Sequence, residues 1–179
     1  MRYAGRPMAL EVVAGYFFMG ASIRSVANTW RFCEDHKDTW SKTAEELACR
    51  VDQGANATGA PGGWAFMDFL MTGGPGCNVN ETLHCPRSTD TEYRTAFASW
   101  VIAASPLIVA TDIRNMTAVM KECLLNEEAI AINQDADMPA GKLVGHWKCE
   151  GEDKTLCAVM GRPLSDGSFA GLLSNLNDD

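Results

Sequence analysis

Residues 90–110 read DTEYRTAFASWVIAASPLIVA, and they set a helix and a strand back to back. Tyr93, Phe97, Trp100 and Val101 fall at i, i+4, i+7 and i+8, an apolar face at helical period. Thr89 or Asp90 can cap the start, with Glu92 in the first turn, so a helix is predicted over 91–104. Pro106 then opens a compact apolar run, PLIVA, which the polar Thr111-Asp112 ends. An apolar run that short, without alternation, reads as a strand buried on both faces. A helix feeding straight into such a strand belongs to an α/β fold, with parallel strands and crossover helices.

The alternation extends both ways from this stretch. Upstream, residues 7–14 (PMALEVVA) read as a short buried strand carrying one charge, Glu11, and 38–53 as a helix through Trp40, Leu47 and Val51. Residues 54–63 form a Gly/Ala/Pro loop, 67–71 a short apolar run, and 73–88 a long polar loop. Downstream, a helix is predicted over 117–125, and 129–132 is apolar again. Past Pro139-Ala140-Gly141 the pattern changes: 143–148, 155–160 and 168–175 are short β-like runs, and Ser165-Asp166-Gly167-Ser168 is a hairpin turn. The chain is therefore expected to divide into an α/β unit, residues 1–140, and the start of an antiparallel β domain, residues 141–179.

At 179 residues the chain is too short for a whole eight-fold β/α barrel, which takes about 250. A net charge of -8 disfavours nucleic acid and anionic membrane surfaces as partners. No stretch reaches the roughly 20 apolar residues of a membrane span, and residues 1–23 do not form a signal peptide. Seven cysteines are present; Cys77 with Cys85 and Cys149 with Cys157 could each staple a loop, and the odd number leaves at least one thiol over. Sequons stand at Asn56, Asn80 and Asn115. Together these point to the secretory pathway, extracellular or lysosomal/vacuolar, with any signal on sequence further upstream. His84-Cys85 and His146-x-x-Cys149 approach metal-ligand spacing without a second pair, and no phosphate-cradling glycine loop appears, so neither metal nor cofactor is expected.

Candidate chemistry concentrates at 28–40, NTWRFCEDHKDTW, where aromatics flank a run of charges. A sugar site needs flat apolar faces, hydrogen-bonding charges and a carboxyl able to give up a proton, and all three are here. The plainer alternative is a solvated loop leading into a helix capped by Asp38. Trp30-Arg31, then Asp35, Asp38 and Trp40, resembles the acid/base motif of glycoside hydrolase family 27, the α-galactosidases and α-N-acetylgalactosaminidases. The resemblance continues in order through Ala60-Pro61-Gly62-Gly63-Trp64, Glu92-Tyr93-Arg94, Pro106-Leu107-Ile108 with Asp112-Ile113-Arg114, Ala131–Asp135 and Arg162–Ser168, covering about residues 24–175.

That resemblance implies the C-terminal half of a (β/α)8 TIM barrel followed by the first strands of an antiparallel β-sandwich domain. It also implies a retaining enzyme acting on α-galactosides through two carboxyls about 5 Å apart. Asp35 matches the general acid/base, and Arg31 a residue that hydrogen-bonds the galactose hydroxyls; a salt bridge from Arg31 to Asp35 or Asp38 is compatible with that role. Glu11, costly to bury in an apolar strand unless partnered, matches a Glu that binds the sugar 2-hydroxyl, which favours galactose over N-acetylgalactosamine. Asp68 matches a sugar-binding Asp, although the family's Trp-Asn-Asp-Pro-Asp reads Trp64-Ala65-Phe66-Met67-Asp68 here. Trp64 is either a sugar platform or a core residue.

The family's nucleophile lies upstream of the Glu11 position, and no Asp precedes Asp35. The 179 residues are accordingly expected to be a fragment or truncated product without hydrolytic activity alone, from a parent that can be a homodimer. A non-catalytic sugar-binding remnant is the alternative from another class.

Overall fold

The computed structural model describes residues 7–13, 21–53, 58–73, 88–148 and 156–175. Two sheets organise them. The first is parallel, in the order β1 (Glu11–Val13), β2 (Thr29–Arg31), β3 (Trp64–Phe66). Glu11, Thr29 and Trp64 stand level at its beginning, and Val13, Arg31 and Phe66 at its end. The parallel pairing matches the α/β expectation, and of these strands only β1 falls in a run read as a strand from the sequence. Of the run 7–14, whose Ala14 lies outside the described residues, Glu11–Val13 is a strand, and it is not buried: Val13 is 63% exposed. Residues 106–110 contribute one parallel bridge, Val109 to Leu70, flanked by hydrogen bonds from Leu70 N to Ile108 O and from Ala110 N to Leu70 O.

The helices predicted over 38–53, 91–104 and 117–125 form, a fourth forms around the apolar run 129–132, and each has a side chain to open it. Helix α1 (Trp40–Gln53) is opened by Thr39, whose Oγ1 accepts from Lys42 N at 3.4 Å. Asp38 was the expected cap; it is buried instead and accepts a 2.6 Å hydrogen bond from Tyr93 Oη. Helix α2 (Asp90–Ile102) starts with a reciprocal box, Thr89 taking Glu92 N and Glu92 taking Thr89 N. Thr117 caps α3 (Ala118–Leu124) and Asn126 caps α4 (Glu127–Asn133). The core lies between the parallel sheet and these helices, with Trp30, Trp100, Ala65 and Leu70 fully enclosed. Truncating either tryptophan to Ala would cost about 3–5 kcal/mol.

The second sheet is antiparallel, in the order β4 (Lys142–Lys148), β5 (Leu156–Pro163), β6 (Phe169–Asn175). The β5–β6 turn closes through Leu164 N to Ser168 O and Ser168 N to Asp166 Oδ1, with Gly167 at φ +87°, a backbone region open to glycine without strain. Arg162 of β5 is fully buried, and its guanidinium donates to the carbonyls of Ile132, Asn133, Asp135, Met138 and Pro139. It thereby ties the second sheet to the segment leaving α4. Among the described residues no helix is long and apolar enough to cross a membrane.

One cysteine outcome differs from the expected staples. Cys33 and Cys49 form a disulfide that the sequence did not single out, with Cα atoms 6.1 Å apart. Cys157 is disulfide-bonded, while Cys77, Cys85 and Cys149 lie outside the described residues. Cys123 is a free, buried thiol, pushed up to about 11 by that burial. Of the sequons, Asn115 is described, exposed at the end of a 3-10 turn (Ile113–Asn115); Asn56 and Asn80 lie outside the described residues.

Candidate active site

Within the stretch 28–40, for which a solvated loop was the plainer alternative, Thr29–Arg31 is the central strand of the parallel sheet. Trp30 turns into the core, so its neighbours Thr29 and Arg31 project from the opposite face. Arg31 stands at the strand end. In parallel α/β sheets, ligands bind beyond the carboxyl ends of the strands. Its guanidinium meets two carboxylates from two different loops. Nη1 donates to Asp68 Oδ2 at 3.0 Å, and Nη2 donates to Asp35 Oδ1. The Asp38 partnership considered from the sequence is taken up by Tyr93 instead.

The two aspartates are held very differently. The Asp35 side chain is 74% exposed. Asp68 is buried and saturated: Oδ2 also accepts from His36 N at 2.9 Å, Oδ1 accepts from Phe69 N at 2.8 Å, and its carbonyl accepts from Trp100 Nε1 at 3.0 Å. Its φ is +66°, a left-handed conformation that Asp tolerates better than most residues because its short side chain bonds locally. The loop 32–39 is pinned alternately: Phe32, Cys33, His36 and Asp38 are buried while Glu34, Asp35 and Lys37 face solvent.

Beneath this surface lie buried ionisable groups. His36 packs its ring against Trp100, centroids 5.0 Å apart, and burial lowers its pKa to about 4 against a smaller opposing pull from Asp68. Glu46 of α1 is buried beside the same groups; desolvation, then the Asp68 charge, pushes it up to about 8. Both are neutral near pH 6. Four buried polar side-chain atoms among the described residues have no hydrogen-bond partner: Trp30 Nε1, Arg31 Nε, His36 Nδ1 and Glu46 Oε2. All four belong to residues 30–46, on β2, the loop after it and α1, and Trp30 Nε1 lies on the core side of β2, away from Arg31.

Glu46 was missed from the sequence, and helical spacing could have found it. Thr43, Glu46, Leu47 and Arg50 share one buried face of α1, an unusually polar set for a core-facing stripe. Glu11 stands on β1 level with Thr29, two register positions before Arg31, and its Oε2 accepts from Thr29 Oγ1 at 3.4 Å. Neither Glu11 nor Trp64 contacts the Arg31–Asp35–Asp68 cluster: both stand at the far level of the sheet, where Trp64 opens β3 and the Arg162 guanidinium lies 5.9 Å from its ring centroid. Its indole serves the junction between the two sheets.

A family model described as "Alpha galactosidase A" (Melibiase_2) matches residues 16–135. An alpha-galactosidase of Cyamopsis tetragonoloba is 34% identical over 152 residues, covering 85% of this chain and 32% of the relative. An α-galactosidase of Saccharomyces cerevisiae, solved with raffinose, superposes with a TM-score of 0.73 at 22% identity, over 96% of this chain and 41% of that one. A GH27 β-L-arabinopyranosidase of Geobacillus stearothermophilus gives 0.75 at 22% identity, over 94% and 37%. The chain thus spans about a third to two fifths of the length of these proteins.

Proposed function

Because the chain belongs to the Melibiase_2 family, alpha galactosidase A, we propose that it forms part of a retaining α-galactosidase, with Asp35 as the general acid/base. The observation that carries this is the shared guanidinium: Arg31 holds an exposed carboxyl, Asp35, against a buried one, Asp68, at the end of the central parallel strand. In the first step Asp35 gives its proton to the glycosidic oxygen as the bond from that oxygen to the anomeric carbon breaks. A nucleophilic carboxylate, by the family resemblance upstream of Glu11, takes up the anomeric carbon. In the second step Asp35, now a carboxylate, removes a proton from the water that attacks that carbon, and the nucleophile leaves. Arg31 and Glu11 are assigned to the sugar hydroxyls. Asp68 is assigned to fixing Arg31, with the sugar as a secondary contact, and Trp64 drops out because a guanidinium covers its ring.

On the same reading residues 1–140 are the C-terminal half of the (β/α)8 barrel, and 141–179 open a β-sandwich domain. The substrate is a terminal α-linked galactose, and the parent works in the secretory pathway, where the Cys33–Cys49 disulfide can persist. A sugar-binding remnant is the second reading, favoured by the loss of the family's Asn-Asp-Pro at 65–67. One experiment separates them: steady-state hydrolysis of an α-galactoside by protein extended upstream through the first half-barrel, beside its Asp35→Asn variant. Turnover that Asp35→Asn abolishes supports the enzyme. Galactose binding without turnover in the extended protein supports the remnant.

A further inference from the structure

The loop that carries Asp35 is tethered to three other parts of the fold, and its polar tethers are not those of an ordinary connecting segment. Two residues before Asp35, Cys33 is bonded to Cys49 on α1. One residue after it, the His36 amide donates to Asp68 beyond β3, and the His36 ring lies on Trp100 of α2. Three residues after it, Asp38 accepts a 2.6 Å hydrogen bond from Tyr93 Oη, also on α2. Cys33, His36 and Asp38 are all under 9% exposed, while the Asp35 side chain between them is 74% exposed. A backbone fixed on both sides of an exposed side chain limits where that side chain can go.

We propose that the Cys33–Cys49 disulfide and the Tyr93–Asp38 hydrogen bond are positioning devices for Asp35, setting where its carboxyl meets the leaving-group oxygen. The inference rests on the assignment of Asp35 as the acid/base and deepens it. Cys33, Cys49, Tyr93 and Asp38 act through Asp35 and touch no substrate themselves. Proton donation is steep in geometry: a misplacement of about 1 Å costs on the order of 100-fold in rate, whereas binding the galactose ring depends on Arg31 and Glu11.

The test uses the chemistry of the leaving group. A dinitrophenyl α-galactoside departs without protonation, while an alkyl or glycosyl α-galactoside needs the acid. In the extended protein, the double variant Cys33→Ala/Cys49→Ala and the single variant Tyr93→Phe are assayed on both, with Asp35→Asn setting the reference pattern. The expected result is a drop of about 10- to 100-fold in kcat for the alkyl or glycosyl substrate, with glycosylation by the dinitrophenyl substrate close to wild type. Equal loss on both substrates in a folded variant, or loss on neither, overturns the proposal. Tyr93→Phe removes one hydroxyl and keeps the disulfide, so it decides the matter for its own tether if the cysteine variant does not fold. Inactivity of the unmutated extended protein on both substrates overturns the assignment of function, and this proposal with it.

Discussion

The loop after β2 and the loop after β3 each bring an aspartate to Arg31, and they present it in opposite ways. Asp35 makes one side-chain contact and leaves 74% of its side chain in solvent; Asp68 uses both oxygens and its carbonyl, and leaves 8%. The same residue type with the same partner has been separated into an exposed group with one side-chain contact and a buried group hydrogen-bonded through both oxygens. Burial makes the difference, and it comes from the neighbours: Trp100 and His36 close over Asp68, while the tethers of the 32–39 loop keep Asp35 outside.

The division can be broken most sharply at Asp35. In the extended protein Asp35→Asn should lower kcat on an unactivated α-galactoside by about 10²–10⁴-fold while leaving the melting temperature nearly unchanged, because the side chain is exposed. A large loss of stability would mean that Asp35 is an organising residue like Asp68. At Asp68 the balance should reverse. Asp68→Asn keeps the left-handed backbone tolerable but removes the charge facing Arg31, and denaturant unfolding should show a loss of up to about 3 kcal/mol. Affinity for galactose should weaken with it as Arg31 loses its anchor; unchanged unfolding would show that the guanidinium is held by other means.

The buried groups beneath the two aspartates sharpen the contrast through pH. His36 ordinarily titrates near 6.5 and in the fold near 4, so between those values the unfolded chain takes up a proton that the folded chain refuses, and stability falls as acid is added. Glu46 ordinarily titrates near 4.5 and in the fold near 8, so over that range the folded chain keeps a proton that the unfolded chain has released, and stability falls as base is added. The slopes oppose one another between pH 4.5 and 6.5, which sets a plateau there, and each limb amounts to a few kcal/mol at most. Thermal melts from pH 4 to 9 should show Glu46→Gln losing the alkaline decline selectively; a variant that declines like the parent would remove Glu46 from the account. At the small end, Asn126→Ala removes the cap of α4 and should cost about 1 kcal/mol with no change in sugar kinetics. Altered kinetics there would show that the site is not insulated from the helix layer.

Much of the frame was legible in the sequence, because helices and hairpins announce themselves locally. The period in 91–104 and the box residues Thr89 and Glu92 marked α2, and Asp166-Gly167 marked the β5–β6 turn. The strand 29–31 was not legible. Three residues are too few to show a period, and what makes them a strand is pairing with β1 and β3, which are distant in sequence. Arg31, Asp35 and Asp68 could be picked out from motifs, but that Arg31 joins the two aspartates follows from register. The same holds for Cys33 with Cys49, for Asp38 with Tyr93, and for Trp64, which the sequence leaves as either a sugar platform or a core residue and which has the Arg162 guanidinium over its ring.

Arg162 also bears on the order in which the molecule can be finished. The five carbonyls it satisfies lie 23 to 30 residues ahead of it in the chain. A ribosome therefore delivers them well before the guanidinium that meets them, and unpaired backbone carbonyls are costly to enclose. The α/β unit emerges with its exit unsealed, and a strand of the next unit completes it. Cutting the chain at residue 140, the apparent boundary, would leave that seam open, so the two units are divisible by sequence pattern and joined in assembly.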